Sequence, residues 1–244
     1  EMMPSSPDLF GTMPDGSPVH RVRLDRGGLR IDIITFGAAL ADIVFAGRSV
    51  VLGCDTLDDY VAKSPHFGAV LGRCANRIAK GHLEIDGHTY QLALNNGPNH
   101  MHGGAPGFSR SNWMLVSHDD SSVTLRIVAA DSEQGYPGRV EATCRYAIVG
   151  DGTLEMTLSA TTDRATVVNL SNHSYFNLSD DATVDAHVVR IDADGELIAT
   201  PVEWDEAQFG PLPRILLHRP RRPRPGDTAA GVGDRVLART ERLK

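Results

Sequence analysis

Residues 19–34, VHRVRLDRGGLRIDII, decide the fold class. Val22 and Leu24 alternate with Arg21 and Arg23. After Gly27-Gly28, Leu29, Ile31 and Ile33 alternate with Arg30 and Asp32. Successive side chains of a strand point to opposite faces, so a period of two gives each strand one apolar and one polar face. Glycine reaches the positive φ that a two-residue hairpin turn needs, so the stretch predicts strand, turn, strand. The same texture extends along the chain. HLEIDGHTYQL (82–92) reads as two strands about an Asp-Gly turn. WMLVS (113–117) and SVTLRIV (122–128) flank Asp119-Asp120, and 139–149 and 153–161 flank Gly150-Asp151-Gly152. Further strands are expected at 42–45, 50–53, 167–170 and 186–191. One short helical turn is expected at 57–62, and no apolar stripe at helical spacing runs beyond it. Many short strands at regular turn spacing predict an all-β sandwich or barrel.

The composition is that of a chain able to bury a core: 244 residues, 41% hydrophobic and 23% charged. A net charge of −7 speaks against an extended nucleic-acid footprint. Cys54, Cys74 and Cys144 are too few and too scattered for a disulfide framework or a zinc site. A reducing, cytoplasmic setting is expected. The longest apolar stretch, 31–47, is broken by Asp32 and Asp42, so no membrane span is expected. The start, EMMPSSPDLF, lacks the basic and apolar parts of a secretory signal. Residues 211–244 carry nine Lys/Arg against three Asp/Glu, whereas residues 1–210 carry 15 against 28. The run HRPRRPRP (218–225) suits neither a strand nor a helix, so this end is expected to be disordered.

Three segments break the alternation and are dense in polar groups: GRCANRIAKG (72–81), NNGPNHMHGG (95–104) and NLSNHSYFNL (169–178). Loops on a β scaffold are where sites are usually built. Arg73, Asn76 and Arg77 offer the donors and acceptors that a hydroxyl-rich ligand needs, though either arginine could instead be structural. His100 and His102 form a His-x-His pair, but no nearby Cys or carboxylate completes a metal site. In a strand, His173 and Tyr175 share a face. Alone, His173 reads equally well as a satisfied core residue, and His100 and His102 as incidental histidines of a Gly/Pro/Asn turn. Two imidazoles, a guanidinium and several amides together point to a sugar-binding, proton-transfer site. No Gly-x-Ser-x-Gly elbow or phosphate-binding glycine motif occurs, and Asp131, Glu133 and Asp163 have nothing to mark them as glycosidase carboxylates.

Taken in order, GRCANRIAKG, DGHTYQLALNNGPNHMHGG, GFSRSNW, SEQGYPG and NLSNHSYFNLS resemble the aldose 1-epimerase (galactose mutarotase) family over about residues 8–203. The resemblance implies a large antiparallel β-sandwich, the mutarotase supersandwich, acting on a free aldohexose without metal or organic cofactor. It implies His173 as general acid, His102 as a second catalytic contact near the ring oxygen, and Asn76 and Arg77 as sugar-binding residues. A carboxylate would take the proton of the C1 hydroxyl, His173 would protonate the ring oxygen, and reclosure after rotation would give the other anomer.

The family's C-terminal glutamate base and its sugar-binding aspartate find no match here. Neither Glu206 nor Glu241 sits in the family's motif. The sandwich is therefore expected to be incomplete, and 204–244 is expected not to be the native family ending. Two other readings stand beside the epimerase. One is a hexose-6-phosphate 1-epimerase, which needs more basic groups at the cleft. The other is a non-catalytic carbohydrate-binding protein, which needs no base.

Overall fold

A computed structural model describes residues 6–150, 152–184 and 187. It opens with a meander of β1 (Asp8–Thr12), β2 (Pro18–Arg26), β3 (Leu29–Ile34), β4 (Ala39–Phe45) and β5 (Arg48–Ser49), paired antiparallel in chain order. The β2–β3 hairpin has the expected turn, with Gly27 and Gly28 at φ 60° and 77°. Its register sets Val22 opposite Ile33 and Leu24 opposite Ile31, so one face is wholly aliphatic. The other face carries Arg23 against Asp32, both nitrogen–oxygen distances being 2.7 Å. Asp32 is thus buried but paired, as a buried charge must be.

The expected helical turn is α1 (Leu57–Ala62). The Thr56 hydroxyl caps it by accepting from the Asp59 N–H at 3.2 Å, and Leu57 and Tyr60 face inward. Five short strands follow: β6 (Val70–Leu71), β7 (Arg77–Ile78), β8 (His82–Ile85), β9 (His88–Gln91) and β10 (His100–Met101). A second antiparallel sheet is built in chain order from β11 (Met114–His118), β12 (Ser122–Ala129), β13 (Val140–Val149) and β14 (Thr153–Thr162); β15 (Ser171–Asn172) then returns to pair with β6.

The sandwich shows in the core. Val22, Leu24, Ile31 and Ile33 of the first sheet form one buried cluster with Val123, Leu125, Val140 and Ala142 of the second. Full burial of such side chains contributes about 1.5–3 kcal/mol each. Tyr146 crosses this core, and its hydroxyl donates to the Ala38 carbonyl at 2.8 Å. Leu154, Met156 and Leu158 of β14 pack on the same cluster, and no further strand pairs with β14 among the described residues.

Two expected strands are corrected. Residues 50–53 form no strand: the Val50 N–H still donates to the Ile43 carbonyl at 2.8 Å, but Val51 then bridges to Phe176 and the Leu52 N–H donates to the Tyr175 carbonyl at 2.9 Å. Residues 167–170 form no strand. The backbone groups of Asn169 are drawn to Arg73 and Ala75, which leaves one parallel bridge to Cys74. The strand expected at 186–191, like the end at 204–244, lies outside the described residues except for His187. Contacts divide the chain after Phe176. Both sheets belong to the first unit. In the second, the Asn177 side chain accepts from the Ser179 N–H at 3.0 Å and donates to the Asp181 carbonyl at 2.9 Å.

Candidate functional site

Pairing of β7 with β10 sets Arg77 opposite Met101 and brings the first two polar segments together. Just beyond the pair, Asn76 and His102 bond reciprocally. The His102 N–H donates to the Asn76 carbonyl at 3.1 Å, and the Asn76 N–H donates to His102 Nδ1 at 3.0 Å. A backbone N–H can only donate, so Nδ1 is the unprotonated nitrogen. A neutral His102 therefore carries its proton on Nε2. Asn76 and His102 sit at φ 65° and 52°, a left-handed conformation that non-glycine residues keep only where surrounding contacts hold it. Gly103 must be glycine: a Cβ there would lie 1.7 Å from the Gly72 carbonyl oxygen. Arg77 Nε donates to the Asn96 side-chain oxygen at 2.8 Å, and its backbone N–H to the Asn76 side chain at 2.9 Å.

His173 arrives with β15, whose register sets Ser171 opposite Leu71 and Asn172 opposite Val70. The pairing runs one residue further, with the His173 N–H on the Ala69 carbonyl at 2.9 Å and the Gly68 N–H on the His173 carbonyl at 3.2 Å. Its ring lies 5.5 Å from that of His102, almost perpendicular at 88°, and 5.0 Å from the Tyr175 ring. The two histidines singled out from the sequence are thus neighbours, and Asn76 and Arg77 flank His102. A third imidazole had no signal in the sequence. His66 lies 5.3 Å from the His102 ring and 5.8 Å from the His173 ring. It stands outside all three polar segments, in a stretch that no alternation or motif marks.

Burial sets the electrostatics. It is the main cause that pushes His66 and His102 down to about 4, helped by neighbouring imidazoles and by Arg110 and Arg77 respectively. Burial also holds His173 below its ordinary value. Among the described residues, no carboxylate is one of the charges that move the three rings. The consequence for stability has a definite sign. Between about 6.5 and 4 the unfolded chain binds protons that the folded rings exclude, so stability falls as the pH drops through this window and the penalty is constant below it. Denaturation midpoints of His102→Gln should fall less steeply over this range than those of the parent. Parallel pH profiles would contradict the assignment.

Other candidates resolve as structural. Arg73 is 2% exposed and donates to the carbonyls of Pro137 at 3.0 Å, Ala130 at 2.6 Å and Ala129 at 3.3 Å. His100 is buried, with its nitrogens on the Ala93 carbonyl at 2.6 Å and the Tyr136 hydroxyl at 2.7 Å. The His-x-His pair therefore cannot chelate, and no group of three His, Cys, Asp or Glu is placed to hold a metal among the described residues. Glu133 accepts from the Ala130 N–H and Asp163 from the Arg139 N–H, while Asp131 pairs with Arg164. A separate cleft of about 380 Å³, walled by Pro7, Pro18, His20, Thr35 and Trp113 among others, shares no residue with the imidazoles and has His20 as its one titratable group.

Fold and site together define an antiparallel β-sandwich with an imidazole-lined polar site. Over residues 20–212 the chain matches the family model described as Aldose 1-epimerase, and it belongs to that family. It is 41% identical over 199 residues to galactose mutarotase of Bos taurus, covering 78% of this chain and 57% of the relative. It is 36% identical over 188 residues to aldose 1-epimerase of Escherichia coli K12, covering 74% and 54%. Among solved structures it resembles galactose 1-epimerase from Lactobacillus acidophilus, with TM-score 0.66, 27% identity, and coverage of 72% of this chain and 54% of that one. It also resembles an aldose epimerase homologue from C. elegans, with TM-score 0.65, 32% identity, and coverage of 68% and 53%. The chain thus spans little more than half the length of these relatives.

Proposed function

We propose that the chain binds a free aldohexose between His102 and His173 and promotes interconversion of its α and β anomers. The observation that carries this reading is the pair of imidazoles at 5.5 Å, open to a polar loop cluster, in a chain of this family. His102 donates from Nε2 to a sugar oxygen, and Asn76 and Arg77 supply further polar contacts. His173, when protonated, gives its proton to the ring oxygen as the C1–O bond breaks. The C1 hydroxyl loses its proton, the aldehyde end rotates about C1–C2, and reclosure reverses both transfers. A positioned acid of this kind is worth about 10²–10⁴-fold.

The described residues supply the acid half of this chemistry. None of the charges that move the three rings belongs to a carboxylate of the described residues, and in this reading the proton of the C1 hydroxyl passes to water. That same observation favours the second reading, a carbohydrate-binding protein that turns nothing over. A phosphorylated hexose is less well served, since Arg73 is committed to three carbonyls. Polarimetry on freshly dissolved α-D-galactose separates the readings. A rotation change faster than in buffer is expected; decay at the buffer rate, with binding seen by calorimetry, would leave the binder.

Cys54, Cys74 and Cys144 are free thiols, and no helix among the described residues is long and apolar enough to cross a membrane. A cytoplasmic setting is the location we propose on the free thiols.

A further inference from the structure

Between α1 and β6 the chain turns tightly through Ser64-Pro65-His66-Phe67-Gly68. His66 takes φ 68° there, a left-handed conformation that a non-glycine residue keeps only where its surroundings enforce it. They do so from several directions. The Phe67 N–H donates to the Ser64 hydroxyl at 2.8 Å, and the Ala69 N–H donates to the His66 carbonyl at 3.1 Å. The Gly68 N–H reaches the His173 carbonyl at 3.2 Å, and the Tyr175 hydroxyl donates to the Pro65 carbonyl at 3.2 Å. The turn is therefore docked on the very segment that carries His173.

The side chain is fixed as well. His66 Nδ1 lies 2.9 Å from the hydroxyl of Ser109, a residue only 3% exposed. That hydroxyl makes no other hydrogen bond among the described residues, so it can rotate to donate to Nδ1 or to accept from it. The remaining nitrogen, Nε2, has no partner among the described residues and is not one of the buried polar atoms left unsatisfied there. With centroid separations of 5.3, 5.8 and 5.5 Å, the three rings form a nearly equilateral triangle. A sugar seated against His102 and His173 falls within reach of His66.

We propose that His66 is a further substrate-binding residue of this site, its Nε2 hydrogen-bonding a sugar hydroxyl while Ser109 holds Nδ1. The inference rests on the aldose reading above. Burial among His173 and Arg110 keeps the ring neutral near pH 7, as this role needs. A neutral imidazole with a rotatable hydroxyl behind it can present Nε2 either as donor or as acceptor. It can therefore follow a hydroxyl whose direction changes between the closed and opened sugar.

The test is calorimetric titration of the full chain with D-galactose, with thermal midpoints as the check on folding. His66→Phe keeps the ring and its edge contacts but removes both nitrogens. It should bind about three- to tenfold more weakly, the loss of one neutral hydrogen bond. His66→Gln should recover part of that loss, and Ser109→Ala should lie between. Parent-like binding by a folded His66→Phe, with binding lost in His102→Gln, would overturn the role of His66 alone. Absence of galactose binding by the parent chain would overturn the aldose reading and this inference together. Should His66→Phe not fold, imidazole proton resonances of the parent decide: galactose should shift the His66 signal along with those of His102 and His173, and an unmoved His66 signal would overturn the proposal.

Discussion

Arg73→Met is expected to lower folding stability by about 2–6 kcal/mol, a large share of the 5–15 kcal/mol that holds a typical domain together. The cation is buried, and burial pulls its pKa down. Among the described residues it has no hydrogen-bonded carboxylate. The carbonyls of Ala129, Ala130 and Pro137 accept from its two Nη atoms, its Nε is buried without a partner among the described residues, and the guanidinium lies 5.5 Å from the centre of the Tyr136 ring. Methionine fills much of the volume but withdraws the guanidinium from all three carbonyls, of which Ala130's keeps the Glu133 N–H at 3.3 Å, and each carbonyl left unpaired costs about 1–3 kcal/mol. Arg73→Lys should recover only part of the loss, because an ammonium lacks the planar fork that reaches carbonyls on two turns at once. Denaturant midpoints check this. An Arg73→Met protein as stable as its parent would mean that the buried cation costs as much as it contributes.

His173→Gln is expected to remove about 10²–10⁴-fold of any rate that the chain adds to anomer exchange, while the fold persists. Glutamine can still hydrogen-bond a sugar oxygen but cannot hand over a proton at neutral pH. The backbone bonds that hold position 173 to Ala69 and Gly68 do not depend on the side chain. The pH profile adds a second readout. His173 is held below its ordinary value, so its protonated fraction grows as the pH falls through and below about 6.5. After subtraction of buffer catalysis the parent rate should therefore rise on the acid side, and the variant's should stay flat. A His173→Gln protein that retains the parent rate would move the acid elsewhere.

The β-sandwich was legible because alternation is a local property. Val22, Leu24, Ile31 and Ile33 announce one apolar face by spacing alone, and Gly27-Gly28 announces the turn. Two expected strands failed where backbone groups found partners far along the chain. Asn169 bonds Arg73 and Ala75, and Leu52 bonds Tyr175, and neither pairing leaves a trace in local pattern. The site was legible in part. His102, His173, Asn76 and Arg77 stand in segments whose glycine and asparagine content breaks the alternation, and those segments resemble one family in one order. His66 was not legible, because Pro65, Phe67 and Gly68 around it read as an ordinary turn. Arg73 and Arg77 look alike on paper, four residues apart, yet one is locked to three carbonyls and the other is exposed beside His102.

What the sequence by itself determined, then, is the kind of structure and the kinds of side chain its irregular loops would offer: periodicity and turn chemistry act between near neighbours and need no partner at a distance. Only the tertiary structure decided which of those side chains meet. Convergence of His66, His102 and His173 depends on β6 pairing with β15 and β7 with β10, contacts between segments up to a hundred residues apart. Burial, which lowers the proton affinity of the three imidazoles and takes Arg73 out of water, arises only once those pairings exclude water.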